Sequence, residues 1–410
     1  MRTALLTCVA ALCLVHGASA RASTPEGRRC YSAFDKQDYA VAAAACRAPA
    51  EQGEAKAQFN LGVIHFHGLG VEADARVAAD WYRRAADQGL ASAQYNLGKI
   101  YREGRGVPQD NQAAVAWYQK AAEQGFPDAQ NNLGFMYRTG LGVPQDATAA
   151  AGWFRKAAIQ GDPGAQYNLA QQYHLGEGVP QDYSAAADWY RKAASQGISG
   201  AQYNLGMLYR QGQGVRQDHS ASTLWFRKAA EQGLAPAQYQ LALNYSAGLG
   251  VARDESQAAS WYRKAAVQGA ANAQNNLGVM YREGRGVPQD YAAATEWFRK
   301  AAEQGLDTAQ FNLAQRYGDG MGAPRDLKVA ADWYRRAANQ GMAEAQNSLG
   351  VMYAAGDGVP RDPVEAYKWF ELSARSGGEG ASDNRKRVAA GMTPDQISDA
   401  RDKADRWSPQ

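Results

Sequence analysis

Cysteine and histidine are almost missing from this chain of 410 residues, which holds four of the one and five of the other. That scarcity excludes a disulfide-dense small scaffold and leaves little material for a metal centre. His65 and His67 stand two apart, so on a helix they would point away from each other, and no other Cys or His lies near them in sequence. Charge of one sign is lacking too. The 44 Lys and Arg face 41 Asp and Glu, which argues against a nucleic-acid footprint. No apolar stretch beyond the first twenty residues approaches the length that crosses a bilayer, so an integral membrane protein is not expected. No segment alternates with the period of a strand. The Gly-x-Gly-Val stretches have neither the Lys-Ser/Thr of a phosphate loop nor a strand before them, and no Gly-x-Ser-x-Gly elbow or His-Glu-x-x-His helix occurs. No enzyme activity, metal or cofactor is therefore expected.

The first twenty residues read as an export signal. Arg2 gives the positive start, Ala4 to Val15 the apolar core, and Ala18-Ser19-Ala20 a small-residue cleavage site. Cleavage after Ala20 would place the chain in the periplasm or outside the cell. A lipid anchor is less favoured, because neither Cys8 nor Cys13 follows a small-residue lipobox. Residues 21–29 then read as a short linker. Cys30 and Cys46 remain, and in an oxidising compartment two lone cysteines are expected to pair. They stand eight residues either side of Asp38, positions that face each other if Asp38 opens the second helix of an antiparallel pair. Two unrelated buried thiols are the alternative.

What the chain has in abundance is one segment repeated. Ala57-Gln58-Phe59-Asn60-Leu61-Gly62 returns, with variations, at Ala93, Ala129, Ala165, Ala201, Ala237, Ala273, Ala309 and Ala345, always 36 residues on. Nine copies fill 54–377 without insertion or deletion. Each carries one Trp, at 81, 117, 153, 189, 225, 261, 297, 333 and 369. In the second copy, Ala93, Leu97, Gly98 and Tyr101 form one stripe of a helix. Gly104 suits the left-handed position that ends it, and Asp110 is a good cap for the next. Ala114, Trp117, Tyr118, Ala121 and Ala122 stripe the second helix, which Gln124-Gly125 stops. Neither helix can bury its face alone, so hairpins must stack to make a core. Small residues let the paired helices close up, and the Trp-Tyr pair fills the gap toward neighbouring copies. Asp110, Asp146, Asp182 and Asp290 are then sufficiently explained as caps.

Three motifs now stand out: Ala-Gln-Tyr-Asn-Leu-Gly, Tyr-x-x-Gly-x-Gly-Val-Pro-Gln-Asp and Ala-x-x-Trp-Tyr-x-Lys-Ala-Ala-x-Gln-Gly. Together they resemble the Sel1-like repeat, a relative of the tetratricopeptide repeat with a longer inter-helix loop. The resemblance implies an all-α fold, a right-handed superhelix (solenoid) of αα-hairpins whose first helices line the concave side, used to scaffold complexes. The ends read as caps. Residues 30–53 look like a shortened hairpin, and 378–410 like capping helices. The last of these opens at Thr393-Pro394-Asp395-Gln396, a capping box with Pro at the first helical position, and runs to about Trp407. Its strong charge would protect the open end of the stack.

Partner-binding residues are sought on the first helix, where packing does not explain the choice. Asn60, Asn96, Asn132, Asn168, Asn204, Asn276 and Asn312 each precede the Leu of that helix, with Gln240 and Ser348 as exceptions. Asn is a mediocre helix former, and its amide can both donate to and accept from a peptide backbone. Some tetratricopeptide superhelices bind extended peptides through such an asparagine ladder, and the resemblance carries that role to these positions. The alternative is that each Asn bonds to the backbone of the neighbouring copy. A second row holds Arg102, Arg138, Arg210 and Arg282, which suit acidic groups on a partner or else form a solvated face. A third holds Phe135 and Met207, apolar side chains that either pack or fill pockets beneath a bound segment. The expected partner is a protein or peptide, within cell-envelope complexes if the chain is retained there. Two other functions stay open. Exported Sel1-like proteins of the cysteine-rich type have been linked to binding or hydrolysis of β-lactams, but those carry a cysteine pair in every repeat and this chain has one, in its cap. A peptidoglycan-binding role would draw on tryptophan, yet nine of the ten hold a core-like position and are expected to be buried.

Overall fold

The computed structural model describes residues 24–409; the expected export segment and its expected cleavage point lie outside them. Among the described residues there are twenty-two helices and no strand. The chain divides into two compact units, one running to Ala201 with Gly212–Arg216 added, the other made of Gln202–Gln211 and Gln217–Gln410. The first unit opens with α1 (Pro25–Asp35) and α2 (Tyr39–Glu51). Four hairpins follow: α3 (Ala55–His67) with α4 (Ala75–Asp87), α5 (Ala91–Glu103) with α6 (Asn111–Glu123), α7 (Pro127–Thr139) with α8 (Ala147–Ile159), and α9 (Pro163–Leu175) with α10 (Tyr183–Ser195). The second unit holds most of α11 (Ser199–Gln211) with α12 (His219–Glu231), then α13 (Ala235–Ala247) with α14 (Glu255–Val267). It continues with α15 (Ala271–Glu283) and α16 (Tyr291–Glu303), α17 (Asp307–Asp319) and α18 (Leu327–Asn339), and α19 (Ala343–Ala355) and α20 (Pro363–Arg375). It closes with α21 (Ala381–Ala389) and α22 (Pro394–Asp405). Within each unit successive helices pack on one another in chain order, which is the solenoid arrangement of stacked hairpins.

Local chemistry sets the boundaries. α5 ends at Gly104, whose φ of 67° is the left-handed conformation that a β-carbon disfavours. The Asp110 carboxylate then accepts from the Ala113 N–H at 2.9 Å and starts α6. Between them, a β-carbon on Gly106 would lie 2.4 Å from the Ala75 carbonyl carbon, so only glycine lets this loop rest on the preceding hairpin. Inside the hairpin, a β-carbon on Gly134 would come within 2.8 Å of the Phe154 ring. Its absence seats that ring against α7. Phe154 is fully buried with Ala157, Ala158, Ala165 and Leu169, so one core joins the third hairpin to the fourth. Burying such a ring is worth about 1.5–3 kcal/mol.

A polar clamp also ties hairpin to hairpin. Buried Gln130 donates from Nε2 to the Ala122 carbonyl at 3.0 Å, and its Oε1 accepts from Nε2 of Gln160 at 2.9 Å. Gln160 is the residue that ends α8. The same pair of bonds serves Gln94 with Ala86 and Gln124, and Gln166 with Ala158 and Gln196. In the second unit it serves Gln238 with Ala230 and Gln268, Gln274 with Ala266 and Gln304, and Gln310 with Ala302 and Gln340. A buried amide is thereby satisfied at both ends. The ninth hairpin breaks the pattern. Ser376 takes the place of the terminal Gln, so fully buried Gln346 keeps its bond to Ala338 at 3.2 Å while its Oε1 has no partner.

The ends differ slightly from expectation. Residues 25–29, anticipated as linker, belong to α1, because the Thr24 side chain caps the Gly27 N–H and Pro25 occupies the first turn, where no N–H is needed. Cys30 and Cys46 form a disulfide, both fully buried, with Cα atoms 4.6 Å apart. Glu54, at the start of α3, accepts from the hydroxyls of Thr24 at 2.9 Å and Tyr31 at 2.6 Å, tying α1 down. At the other end Thr393 and Gln396 form the expected capping box. The helix it opens stops at Asp405, two residues short of Trp407, which sits edge-on to Trp369 at 6.3 Å.

Candidate functional site

The seven asparagines of the row all lie on first helices; Asn60 is buried and the other six are half-buried. Neighbouring side chains meet five of them, and which one depends on the preceding hairpin. In two hairpins whose preceding second helix carries Tyr, the hydroxyl meets the row. Burial pushes the Tyr262 hydroxyl up to about 12, against the pull of a hydrogen bond with Asn276. Tyr334, pushed up to about 12 by burial and the nearby Asp319, is met by Ser348 in the same way. Asn132 lies beside Tyr95 and Tyr118. Where the preceding helix carries Phe, the row turns elsewhere. Asn168 donates to Asn131 at 2.9 Å, Asn312 donates to Asn275 at 2.9 Å, and Gln240 accepts from Arg210. Asn60 places its Nδ2 3.9 Å from the Cys30 sulfur. These bonds run to side chains of neighbouring elements and not to their backbone. An amide has two donor hydrogens and two lone pairs, so one such bond aims the group and leaves capacity on it.

The arginines reach sideways in similar fashion. Arg138 donates to Gln171 of the next hairpin at 3.3 Å and lies over the rings of Phe135 and Phe154 at 5.5 and 5.7 Å. Arg282 pairs with Glu283 at 2.6 Å and donates to Asn312 at 3.4 Å. Arg102 pairs with Glu103 at 3.2 Å. Phe135 packs against the cores of its own and the preceding hairpin, and Met207 against the Phe226 core, yet both stay half-exposed. His65 and His67 lie on α3, where burial lowers the pKa of both, and Lys99 and Arg105 lower that of His67 further. Among the described residues no three His, Cys, Asp or Glu side chains gather as a metal would require.

The tryptophans correct an expectation. Eight of the nine are half-exposed, and only Trp369 is buried. Trp117 and Trp153 each press on the core of the hairpin before them. A cation three residues on covers the ring, as with Lys120 at 4.1 Å and Lys156 at 3.8 Å. The stripe position therefore seals an edge and does not fill an interior. Trp369 differs because the closing helix packs over it with Ala404 and Trp407.

Two sets of residues were missed from sequence. The buried Gln row of the clamp is one; its signal was the unbroken recurrence of Ala-Gln in nine copies. The other is a core position filled by Ile64, Ile100, Met136, Leu208, Met280 and Met352, but by Gln172, Asn244 and Arg316 in the fourth, sixth and eighth copies. Asn244 donates to the Thr223 hydroxyl at 2.8 Å, and Arg316 pairs with Asp319 at 3.4 Å. Gln172 is fully buried with no partner for either amide atom among the described residues.

The Sel1 repeat family description matches the chain nine times, over 55–90, 91–126, 127–162, 163–198, 199–234, 235–269, 271–306, 307–342 and 343–378. No curated protein matches. Among solved structures, a protective antigen present in uropathogenic Escherichia coli strains, displaying an SLR fold, is 35% identical over 88% of this chain and 93% of its own, with a TM-score of 0.54. A Sel1 repeat protein from Oxalobacter formigenes is 36% identical over 75% of this chain and 90% of its own, with a TM-score of 0.58.

Proposed function

Because the chain belongs to the Sel1 repeat family, we propose that it is an exported, non-catalytic scaffold holding a peptide or protein partner against the face of its first helices. One contrast carries this reading. Residues that recur in every copy are spent on the scaffold itself, as in the Gln clamps and the Asp caps. The half-exposed rows that hold the arginines and Phe135 and Met207 vary from copy to copy, and the asparagine row, Asn in seven of the nine copies, keeps spare bonding capacity. In the first unit the face comprises Asn96, Asn132 and Asn168 with Arg102, Phe135 and Arg138. In the second it comprises Asn204, Met207 and Arg210, then Asn276, Arg282 and Asn312. Amides aimed by a neighbour can pair with a partner's backbone, while Phe135 and Met207 offer apolar contact between them. Export agrees with the leader-like first twenty residues and with the disulfide, which suits an oxidising compartment. No helix among the described residues is long and apolar enough to cross a membrane.

The test begins with a photo-crosslinking benzoylphenylalanine at position 135, in cells that export the chain. A discrete adduct identified by mass spectrometry is expected. Binding of that purified partner should then weaken about tenfold or more when Asn96, Asn132 and Asn168 are replaced together by Ala, each removing a hydrogen bond of about 0.5–1.5 kcal/mol. Unchanged affinity, with helix content intact, removes the asparagine row. No adduct from position 135 removes the face. Turnover of nitrocefin by the purified protein would make it an enzyme instead.

A further inference from the structure

A different surface lies on two adjacent second helices, α12 and α14. Each second helix has four positions at i, i+3, i+4 and i+7 that share one face. In α4, α10, α16 and α18 the first of these is acidic and closes on the Arg three residues later. The pairs are Arg83 with Asp80 at 3.8 Å, Arg191 with Asp188 at 2.6 Å, Arg299 with Glu296 at 2.6 Å and Arg335 with Asp332 at 2.7 Å. α6, α8, α12 and α14 have no acid there. α8 carries Arg155, Lys156 and the 70% exposed Ile159, but it stands beside α6, which has Gln119 in place of the Arg, and α10, whose Arg191 is paired. α12 and α14 are neighbours that both leave their Arg without this pairing. In α12 and α14, Leu224, 50% exposed, and Ser260 stand in place of the acid, and the fourth position of α14 is Val267, 73% exposed. Only the carboxylate of Glu231 shares this face with Arg227, Lys228, Arg263 and Lys264.

These cations are fixed in position. Arg227 donates to the Tyr245 hydroxyl at 3.0 Å and Arg263 to the Tyr281 hydroxyl at 2.5 Å. Lys228 lies 4.5 Å from the centre of the Trp225 ring, and Lys264 3.6 Å from that of Trp261. Trp261 packs on Phe226, Ala229 and Ala230 of α12, so the two helices present one continuous surface. A single exposed apolar residue needs no explanation. Two of them at opposite ends of four held cations form a pattern that α8, with Ile159 alone and a paired Arg191 on its neighbour α10, does not complete.

We propose that the exposed face of α12 and α14 docks an acidic amphipathic helix of a partner protein, its carboxylates on the four cations and its apolar side chains on Leu224 and Val267. The charge is complementary, and opposite charge steers and orients docking. The dimensions agree as well. Leu224 and Val267 are seven positions apart in the repeat frame, about 10 Å at 1.5 Å per residue, and one hairpin apart sideways, about 10 Å. Two to three turns of helix span that diagonal. A lipid surface fits less well, because the apolar residues flank the cations and do not form one protruding tip. This face is separate from that of the first helices, so both partners can be held together.

The probe is a fluorescein-labelled helix of about three turns, with Leu at every third or fourth position and Glu elsewhere, beside a twin carrying Gln for Glu. Each is titrated by anisotropy onto the purified full chain. The Glu helix is expected to bind, more weakly as salt rises, and the Gln twin about tenfold or more weaker. K228E/K264E should weaken the Glu helix about tenfold or more, and L224S/V267S severalfold, with melting temperatures unchanged. K300E/R336E makes the same charge change at the matching positions of α16 and α18 and should leave binding as it was. Equal losses in the two charge variants would mean attraction to the whole protein and overturn the proposal, as would no loss in K228E/K264E. Vesicles of phosphatidylglycerol that bind with this variant pattern, while the Glu helix does not, would assign the surface to lipid and overturn it too.

Discussion

Replacing Ser376 by Gln should complete the clamp that the ninth hairpin leaves half made. Gln346 is fully buried, its Nε2 is used and its Oε1 faces no donor. In the preceding copy the residue equivalent to Ser376 is Gln340, which donates to Gln310 at 2.9 Å. Relieving a buried orphan acceptor is worth about 1–3 kcal/mol. Ordering the longer side chain costs up to about 1.5–2 kcal/mol, and less at this exposed helix end. The net is a gain of about 1 kcal/mol, or roughly fivefold in an opening equilibrium. Stability in stacked repeats is coupled mainly between neighbours, so the gain should be local. Hydrogen exchange followed by mass spectrometry should find α19 and α20 protected about fivefold more, with α3 to α6 unaltered. No extra protection in α19 and α20, or faster exchange there, would refute the view that the clamp's bond from the terminal Gln stabilises its hairpin.

Two further outcomes test the packing and the cap. Gly278→Ala brings a β-carbon to 2.7 Å from the Phe298 ring; overpacking of about 1–3 kcal/mol should outweigh the helix-propensity gain of about 1 kcal/mol and lower the melting temperature by circular dichroism. A rise would mean that the ring has room to move. At the cap, burial works to raise the Glu54 pKa, but hydrogen bonds from Tyr31 and Thr24 outweigh it and hold it below the ordinary value of 4.5. A depressed folded-state pKa gives stability that is present above the unfolded value and lost as pH falls through the folded one. Amides of α1 should therefore exchange faster as pH drops below about 4.5, after correction for intrinsic rates, and Glu54→Gln should abolish that dependence. A flat profile in the native chain would discount the anchor.

Helix ends were legible because their chemistry is local: Gly104 and Asp110 act within a few residues of themselves. The disulfide was legible because, with Cys8 and Cys13 read as part of an export segment, two cysteines were left to pair. The asparagine row was visible as a pattern but not in its bonding, since whether Asn276 meets a hydroxyl depends on Tyr262, a residue of the previous copy that touches it only after stacking. The Gln clamp hid for a related reason. Recurrence marks Gln130 as constrained, yet its partner stands thirty residues on and only the fold brings them together. Tryptophan misled because a stripe of residues cannot say which edge a neighbour covers; Trp117 lies at the margin of the seam, under Lys120. Residues 25–29 were misjudged because the deciding group, the Thr24 hydroxyl, stood just outside the segment being read.

The clamp also bears on how such a chain can change length. Each buried amide reaches eight residues back and thirty forward. Excising any thirty-six consecutive residues from within a run of copies therefore rejoins chemically equivalent partners and creates no new kind of junction. Excisions of another size strand two amides and misalign an aromatic ring. Growth and loss by whole copies is the inexpensive route for a gene of this design, and a ruler with interchangeable divisions is what it yields.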